Sequence, residues 1–146
     1  RFDPCFLTLE ITETARISDH EVAATILNEL RSIGVRISMD DFGVGAANYE
    51  AFYELPFDEI KIDRMFVANI AKDPKARAIV ASIAAMGRGA RITVVAEGLE
   101  NPQDIPMLQE AGCQQVQGFA FSRPLSLSNL LEYQELAPEQ TLSNIV

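Results

Sequence analysis

The chain has 146 residues, of which 48% are hydrophobic, and its formal net charge is −9. A length of this order predicts one globular domain that buries roughly two thirds of the surface of the unfolded chain. The acidic balance argues against a DNA or RNA groove binder, which would carry a basic surface. An acidic protein can nevertheless bind an anionic ligand where bound metal ions reverse the local field. The two cysteines have no disulfide or zinc-binding spacing, and no apolar run is long enough for a membrane span.

Helices are predicted from apolar residues at helical spacing and from their end signals. The first is expected to begin with a capping box at Ser18 and Glu21 and to end at Gly34. Its apolar stripe comprises Val22, Ile26, Leu27, Leu30 and Ile33. Further helices are expected at 73–87, ending in Gly87-Arg88-Gly89, and at 101–112 and 126–133, with a weaker turn within 45–53. The polar tail from Pro138 onward is expected to fray.

Short apolar runs between these helices predict strands. They fall at 6–10, 35–40, 59–61, 93–96 and 115–117. Alternating strands and helices indicate an α/β fold with a parallel sheet covered by helices. Five such units are too few for a closed eight-stranded barrel, which typically needs about 250 residues. The pattern alone leaves two architectures open, a small doubly wound sheet or the later part of a barrel.

Charged residues follow the predicted strands at their downstream ends. They are Glu10, Asp40, Asp41, Lys61 and Glu97. Because the carboxyl ends of parallel strands meet at one rim, these side chains are expected to converge. Four carboxylates around one lysine suggest divalent metal ions acting on a phosphate. The single histidine, His20, provides no catalytic triad and no histidine-rich site, so oxygen ligands and hence magnesium, manganese or calcium are favoured.

The string Asp40-Asp41-Phe42-Gly43 carries the most specific part of this pattern. Adjacent residues of a regular strand point to opposite faces, so both aspartates can serve one site only if the chain leaves the strand there. Gly43 and Gly45 are expected to allow that departure. The alternative is a solvated acidic loop before a turn. A protein kinase is excluded because the chain has no His-Arg-Asp string.

Lys61 lies between two isoleucines in a predicted strand and must point away from them. It faces either the shared rim or solvent, and an isolated lysine more often faces solvent. Held among carboxylates, a lysine can orient or deprotonate a metal-bound water or neutralise a phosphate oxygen. Glu97 could likewise be an ordinary polar residue at the end of a strand. The convergence of several such positions is what favours a site.

Taken together, the motifs resemble the EAL domain family. The resemblance rests on Leu-Glu-Ile-Thr-Glu at 9–13, Asp-Asp-Phe-Gly-Val-Gly at 40–45, Ile-Lys-Ile-Asp-Arg at 60–64, Val-Ala-Glu-Gly-Leu-Glu at 95–100 and Gln-Gly-Phe-Ala-Phe-Ser-Arg-Pro at 117–124. These proteins are bacterial phosphodiesterases that linearise cyclic di-GMP to pGpG with two divalent cations in a TIM-like barrel. The resemblance therefore implies the later five βα units of such a barrel. It also implies Mg²⁺ or Mn²⁺ as cofactor, with Ca²⁺ inhibitory.

The resemblance also implies roles for individual residues. Glu10 would bind one metal, Asp40 would bridge both, and Asp41 and Glu97 would bind the second. Lys61 would contact the attacking water, so that Lys61, Glu97 and Asp40 form the catalytic set. Residues expected to support the metal site are Glu13, Asp63, Glu100 and Gln117. Phe121 is the candidate for contact with a guanine.

Two departures from the family pattern accompany the resemblance. The Glu-Ala-Leu segment and an Asn ligand that follows it have no counterpart here, so residues 1–137 are expected to be a partial domain, inactive in isolation. The segment after Asp-Asp-Phe-Gly, usually Thr-Gly-Tyr-Ser-Ser-Leu, here reads Val-Gly-Ala-Ala-Asn-Tyr at 44–49. In the family this loop couples metal binding to dimer contacts, so the change bears on turnover and regulation.

Three functions are weighed at this point. The first is a metal-dependent cyclic di-GMP phosphodiesterase, and the second is a degenerate domain that binds cyclic di-GMP or a protein without cleavage. The third is a scaffold without a ligand, which leaves the clustered charges unused. The resemblance further implies a homodimer, upstream regulatory domains and a bacterial cytoplasmic location, with membrane attachment of a longer protein left open.

Overall fold

The structure, a computed structural model, describes residues 3–12, 15, 17–44 and 49–136. Glu13 and the tail from residue 138 therefore lie outside the described residues. The strands are β1 (Thr8–Thr12), β2 (Arg36–Phe42), β3 (Glu59–Ile62), β4 (Thr93–Ala96) and β5 (Gln115–Val116). The helices are α1 (His20–Ser32), α2 (Tyr49–Glu54), α3 (Arg64–Val67), α4 (Pro74–Ala90), α5 (Ile105–Ala111) and α6 (Leu127–Leu136). Within the described residues, no helix is long and apolar enough to cross a bilayer.

The strands form one parallel sheet in the order β1-β2-β3-β4-β5. Each strand thus pairs with its neighbours in sequence, and the helices between them provide the crossovers. A doubly wound sheet reverses its strand order at a switch point, and the described strands show no such reversal. Of the two architectures left open by the sequence, the strand order is that of successive units of a barrel.

The two faces of the sheet differ in polarity because residues alternate along each strand. The face that packs on the helices is apolar and contributes to the core Ile37, Met39, Ile60, Ile62, Val94 and Ala96. The intervening residues Ser38, Glu59 and Lys61 are nevertheless buried on the opposite face. Glu59 accepts hydrogen bonds from Ser38 Oγ at 2.9 Å and from Arg36 at 3.2 Å. The site residues therefore extend from a polar, largely buried face of the sheet.

Helix α1 begins one residue later than the capping box predicts. Asp19 is the N-cap, and its carboxylate accepts a hydrogen bond from the backbone N–H of Val22 at 3.0 Å. The prediction of Ser18 as the cap is wrong because the adjacent aspartate meets the same donors. Leu27 is buried, whereas Val22 and Ile26 on the same predicted stripe are about half exposed. Much of the apolar surface of α1 is thus uncovered by the described residues.

Helix α4 continues through the glycines that were expected to end it. It runs to Ala90, and Arg91 in the left-handed conformation forms its C-cap. A Cβ on Gly87 would lie 2.2 Å from Cγ2 of Val94. The absence of a side chain at Gly87 therefore lets α4 approach β4 closely. The prediction that this glycine ends the helix is wrong.

Candidate metal centre

The two adjacent aspartates reach one site through an irregularity in β2. The register between β2 and β3 shifts between Met39 and Phe42, and Asp41 adopts a φ of 56°. Gly43, expected with Gly45 to take the chain out of the strand, directly follows the last paired residue, Phe42, and has a φ of 104°, whereas Gly45 lies outside the described residues. The departure from regular strand begins earlier than expected, because Asp41 is itself left-handed. Aspartate is one of the few side chains that visit this conformation readily. The bulge re-aims Asp41 so that it joins Asp40 instead of pointing to the opposite face.

Three carboxylates converge at this point of the sheet. Ligand oxygens of Asp40, Asp41 and Glu97 all lie within 4.8 Å of one another. Asp40 and Asp41 come from the end of β2, whereas Glu97 directly follows β4. Oxygen donors of this kind suit hard divalent cations such as Mg²⁺ and Mn²⁺.

Lys61 lies on β3, between the strands that carry these acids. Its Nζ donates a hydrogen bond to Glu10 Oε1 at 2.8 Å and lies 2.9 Å from Glu97 Oε1. It is also 3.7 Å from Asp40 Oδ1. The Lys61 side chain is only 5% exposed, so the solvent-facing alternative is wrong. One buried ammonium thus joins carboxylates from three strands.

Burial and neighbouring charges both shift the pKa values of the ionisable groups at this site. Burial pulls the pKa of Lys61 down, but its hydrogen bonds to Glu10 and Glu97 and the nearby negative charges outweigh this and raise the pKa above its usual value. Burial raises the pKa of Glu97 although Lys61 opposes the shift. The pKa of Asp41 is raised by burial and then by the charges of Asp40 and Asp63. These acids therefore lack full compensation of their negative charge.

Asp40 is the carboxylate whose surroundings most directly suit a cation. Its Oδ1 is buried and has no hydrogen-bond partner among the described residues. The Lys61 ammonium at 3.7 Å is too distant for a hydrogen bond. Buried carboxylate oxygens are normally paired or coordinate a metal, so this atom fits a cation ligand. Asp40, Asp41 and Glu97 are the side chains that could hold the ion.

Glu10 differs from the other three predicted ligands. It pairs with Lys61 and does not belong to the group of Asp40, Asp41 and Glu97, and its side chain is 49% exposed. Glu10 nevertheless lies at the same rim of the sheet as the other acids, because β1 pairs with β2 up to Thr12 and Asp40. Its role as a metal ligand stays a prediction.

A cavity of about 280 Å³ opens beside the carboxylates. It is lined by Asp41, Asp63, Arg64, Glu97, Gly98, Glu100, Gln117, Gly118 and Phe119. The predicted supporting residues Asp63, Glu100 and Gln117 thus surround the site, whereas Glu13 lies outside the described residues. Phe121 does not line this cavity but lies in the adjacent groove and packs on the core. Sequence reasoning missed Arg64 and Phe119 as lining residues, although each lies within a quoted motif.

Backbone contacts hold the loops that form the cavity. Asp63 caps α3 by accepting a hydrogen bond from Met65 N at 2.7 Å. The N–H of Leu99 donates to Gln117 O at 2.9 Å. Gly118 approaches so closely that a Cβ there would lie 2.2 Å from Leu99 O. The loops after β4 and β5 are therefore held against each other by a backbone hydrogen bond and close packing. These contacts position Glu97, Glu100 and Gln117, which lie on the two loops.

Comparison with known proteins agrees with this geometry. The EAL domain profile matches residues 1–124. An uncharacterized signaling protein of Caulobacter vibrioides is 43% identical over 127 residues, covering 87% of this chain and 16% of that protein. Cyclic di-GMP phosphodiesterase NbdA of Pseudomonas aeruginosa is 41% identical over 129 residues, covering 88% of this chain and 16% of that protein. The chain thus spans less than a fifth of these relatives.

Solved structures show the same fold. A complex of the PaMucR phosphodiesterase with c-di-GMP has a TM-score of 0.78 and 39% identity, over 88% of this chain and 52% of that one. A manganese/cy-diGMP complex of BlrP1 from Klebsiella pneumoniae has a TM-score of 0.75 and 36% identity, over 84% of this chain and 31% of that one. The described sheet corresponds to part of the barrel in such structures. By profile, sequence and structure, the chain belongs to the EAL domain family.

Proposed function

We propose that this chain provides part of the active site of a phosphodiesterase that hydrolyses cyclic di-GMP to linear pGpG with two divalent cations. The observation that carries the proposal is the buried Oδ1 of Asp40, which has no hydrogen-bond partner among the described residues and lies in a carboxylate cluster 3.7 Å from the Lys61 ammonium. Relatives named as cyclic di-GMP phosphodiesterases support the substrate. Neighbouring structures that contain manganese and the dinucleotide support the metal dependence.

Asp40, Asp41 and Glu97 would hold the cations, with Glu10 as a further ligand. When bound, divalent ions polarise a phosphodiester and lower the pKa of water. Hydrolysis requires a water oxygen to attack phosphorus while one P–O ester bond breaks and the leaving oxygen gains a proton. The carboxylates of this chain contribute by fixing the positions of charge around the phosphate.

Lys61 would act as a hydrogen-bond donor and positive charge toward the attacking water or a phosphate oxygen. The same neighbours that bury the ammonium raise its pKa, so it stays protonated at neutral pH in the metal-free protein. A protonated lysine cannot accept the proton of the water. The geometry supports the orienting role, because Nζ donates to Glu10 at 2.8 Å and lies 2.9 Å from Glu97.

Residues 1–137 are proposed to form only part of the catalytic domain. Within the described residues β1 and β5 are the end strands of an open sheet. Apolar side chains near β1 are exposed, including Phe6, Leu7 and Leu9. Since the chain covers 52% of the PaMucR phosphodiesterase chain, the remaining units would supply both the cover and further ligands. Dimerisation, a cytoplasmic location and inhibition by Ca²⁺ stay predictions.

A degenerate domain is the second candidate function. It is favoured by the segment 44–49, in which Val44, Ala46, Ala47 and Asn48 stand where the usual family loop has Thr, Tyr, Ser and Ser. Such a domain would bind cyclic di-GMP and leave it intact.

The decisive experiment uses the full-length natural protein that carries this chain. It is incubated with cyclic di-GMP and either Mg²⁺ or Mn²⁺, and the nucleotides are separated and quantified. We expect pGpG to accumulate with metal and not with a chelator. Binding of the dinucleotide without product would support the degenerate domain, and absence of both binding and product would contradict the assignment to this substrate.

A further inference from the structure

A second group of metal-binding side chains lies on the helices, apart from the sheet. His20 is the first residue of α1, and Glu50 and Glu54 lie one turn apart on α2. Ligand atoms of the three residues all lie within 4.8 Å of one another. None of them belongs to the carboxylate cluster of Asp40, Asp41 and Glu97. The two groups are therefore separate candidate sites.

Two helices jointly place the donors. Residues at i and i+4 share one face of a helix, so both carboxylates of α2 point in the same direction. His20 Nδ1 is hydrogen-bonded to Glu54 Oε2, and the His20 side chain is only 21% exposed. The imidazole is thus held between α1 and α2, and its orientation is set before any ligand arrives. Pre-organised donors lose less conformational freedom when an ion binds.

The donor set differs chemically from the site on the sheet. An imidazole nitrogen with two carboxylates suits Zn²⁺ and related transition ions, whereas carboxylates alone suit Mg²⁺ or Mn²⁺. Three protein ligands leave a fourth position of a tetrahedral zinc ion for water. The two carboxylates of the site have a formal charge of −2, which one divalent cation would balance.

We propose that His20, Glu50 and Glu54 form a binding site for a zinc-class divalent ion that bridges α1 and α2. The site is independent of the proposed phosphodiesterase function, because its ligands neither line the cavity nor contact Lys61. Its expected selectivity is the reverse of that of the sheet site. Zinc, cobalt or nickel should bind in the presence of a large excess of magnesium.

The test is a zinc titration of the full-length natural protein, monitored by isothermal calorimetry in excess Mg²⁺. Wild type is expected to bind one equivalent of Zn²⁺ more than His20→Ala or Glu54→Gln. Cobalt should give the visible absorption of a low-coordinate Co²⁺ site, which Zn²⁺ removes. Glu21→Gln, an exposed neighbour on α1, and Asp40→Asn on the sheet are expected to retain the extra equivalent.

Glu50→Gln separates metal binding from helix packing, because it leaves the hydrogen bond between His20 and Glu54 in place. It should fold like wild type by circular dichroism and still lose the extra equivalent. Equal zinc uptake by wild type, His20→Ala and folded Glu50→Gln would overturn the proposal. So would a wild type that binds no zinc in excess magnesium, which would make the contact of His20 with Glu54 an ion pair only.

Discussion

The ammonium of Lys61 lies 2.9 Å from the carboxylate of Glu97, so a residue of β3 compensates the acid at the end of the adjacent strand β4. The same ammonium donates at 2.8 Å to Glu10, which lies on β1, on the opposite flank of β3 from β4. Within the part of the chain that the structure describes, Lys61 is the cation that pairs with Glu10, Asp40 and Glu97. Lys61 is therefore a structural counterion of the metal-free site as well as a candidate catalytic group.

Replacing Lys61 by Met should separate these two roles. The substitution keeps a long apolar side chain but leaves the acids without their counterion, which should lower the free energy of unfolding by about 1–3 kcal/mol in chelator. Saturating Mn²⁺ should restore much of that loss, because the ion replaces the missing charge. Cleavage of cyclic di-GMP should fall by about 100-fold or more even with metal present.

Urea unfolding with and without Mn²⁺, combined with nucleotide analysis, checks this prediction. Lys72→Met is a matched control because Lys72 is exposed on the connection before α4. The structural role of Lys61 would be refuted if both variants had the same stability in chelator. The catalytic role would be refuted if Lys61→Met retained wild-type turnover.

Asp40→Asn tests the proposed cation ligand. The change preserves the shape of the side chain but removes the charge of the carboxylate whose buried Oδ1 has no hydrogen-bond partner, so metal affinity and metal-dependent cleavage should be lost. A ligand that binds only the folded state stabilises it by about 2.7 kcal/mol at a hundred times its Kd. Wild type should therefore show a rise in Tm with Mn²⁺ that Asp40→Asn lacks.

Glu110→Gln is the control for net charge. Glu110 lies near the C-terminal end of α5, so the substitution removes one negative charge away from the site. It should keep the rise in Tm with Mn²⁺. An Asp40→Asn variant with an unchanged response to Mn²⁺ and unchanged turnover would show that Asp40 is not a ligand.

The pKa of Asp41 gives a prediction with a definite sign. Burial and the adjacent acids raise this pKa, so the folded protein holds the proton more tightly than the unfolded chain. The group therefore favours folding below its unfolded pKa of about 3.9, and this contribution is lost as pH rises through the higher folded value. At neutral pH the ionised Asp41 destabilises the metal-free protein.

Asp41→Asn should consequently raise Tm at neutral pH in chelator, and the advantage should shrink as the pH falls toward about 4. Asparagine tolerates the left-handed backbone found at this position, so the bulge should persist. With saturating Mn²⁺ the order should reverse, because the variant loses a ligand. Thermal melts across this pH range measure the effect, and a lower Tm for the variant in chelator at neutral pH would contradict it.

The sequence predicts where along the chain the acidic residues lie better than it predicts the backbone conformation that orients their side chains. Strand-end positions of Asp40, Lys61 and Glu97 follow from apolar runs, and the structure brings them together. The left-handed backbone at Asp41 depends on the register shift between β2 and β3, which is a relation between distant segments. No local pattern within Asp-Asp-Phe-Gly specifies it.

The local sequence pattern also does not predict that side chains on the polar face of the sheet are buried. Alternation in Glu-Ile-Lys-Ile shows that Lys61 and the isoleucines point to opposite faces. It does not show whether the face of Lys61 is covered, because the cover comes from neighbouring strands. The buried bonds of Glu59 to Ser38 and Arg36 have the same origin. Gly87 was misread for a related reason, since its role depends on its contact with β4 rather than on helix propensity.

The glycines of α4 provide a matched pair for testing that contact. Both Gly87 and Gly89 lie in the last turn of the helix, two positions apart. A Cβ at Gly87 would lie 2.2 Å from Val94 Cγ2 and 3.3 Å from Ile92 O, whereas a Cβ at Gly89 would meet nothing within 4 Å. Alanine is the better helix former at both positions by about 1 kcal/mol, so helix propensity alone predicts that both substitutions stabilise.

Packing should reverse the result at Gly87. Gly89→Ala should raise the free energy of unfolding by about 0.5–1 kcal/mol, whereas Gly87→Ala should lower it by about 1–3 kcal/mol because α4 must move away from β4. Urea unfolding of the two variants in one buffer measures the difference. Equal shifts would show that the helix separates from the sheet without cost. Since β4 leads directly to Glu97, a destabilised Gly87→Ala should also bind Mn²⁺ more weakly than Gly89→Ala.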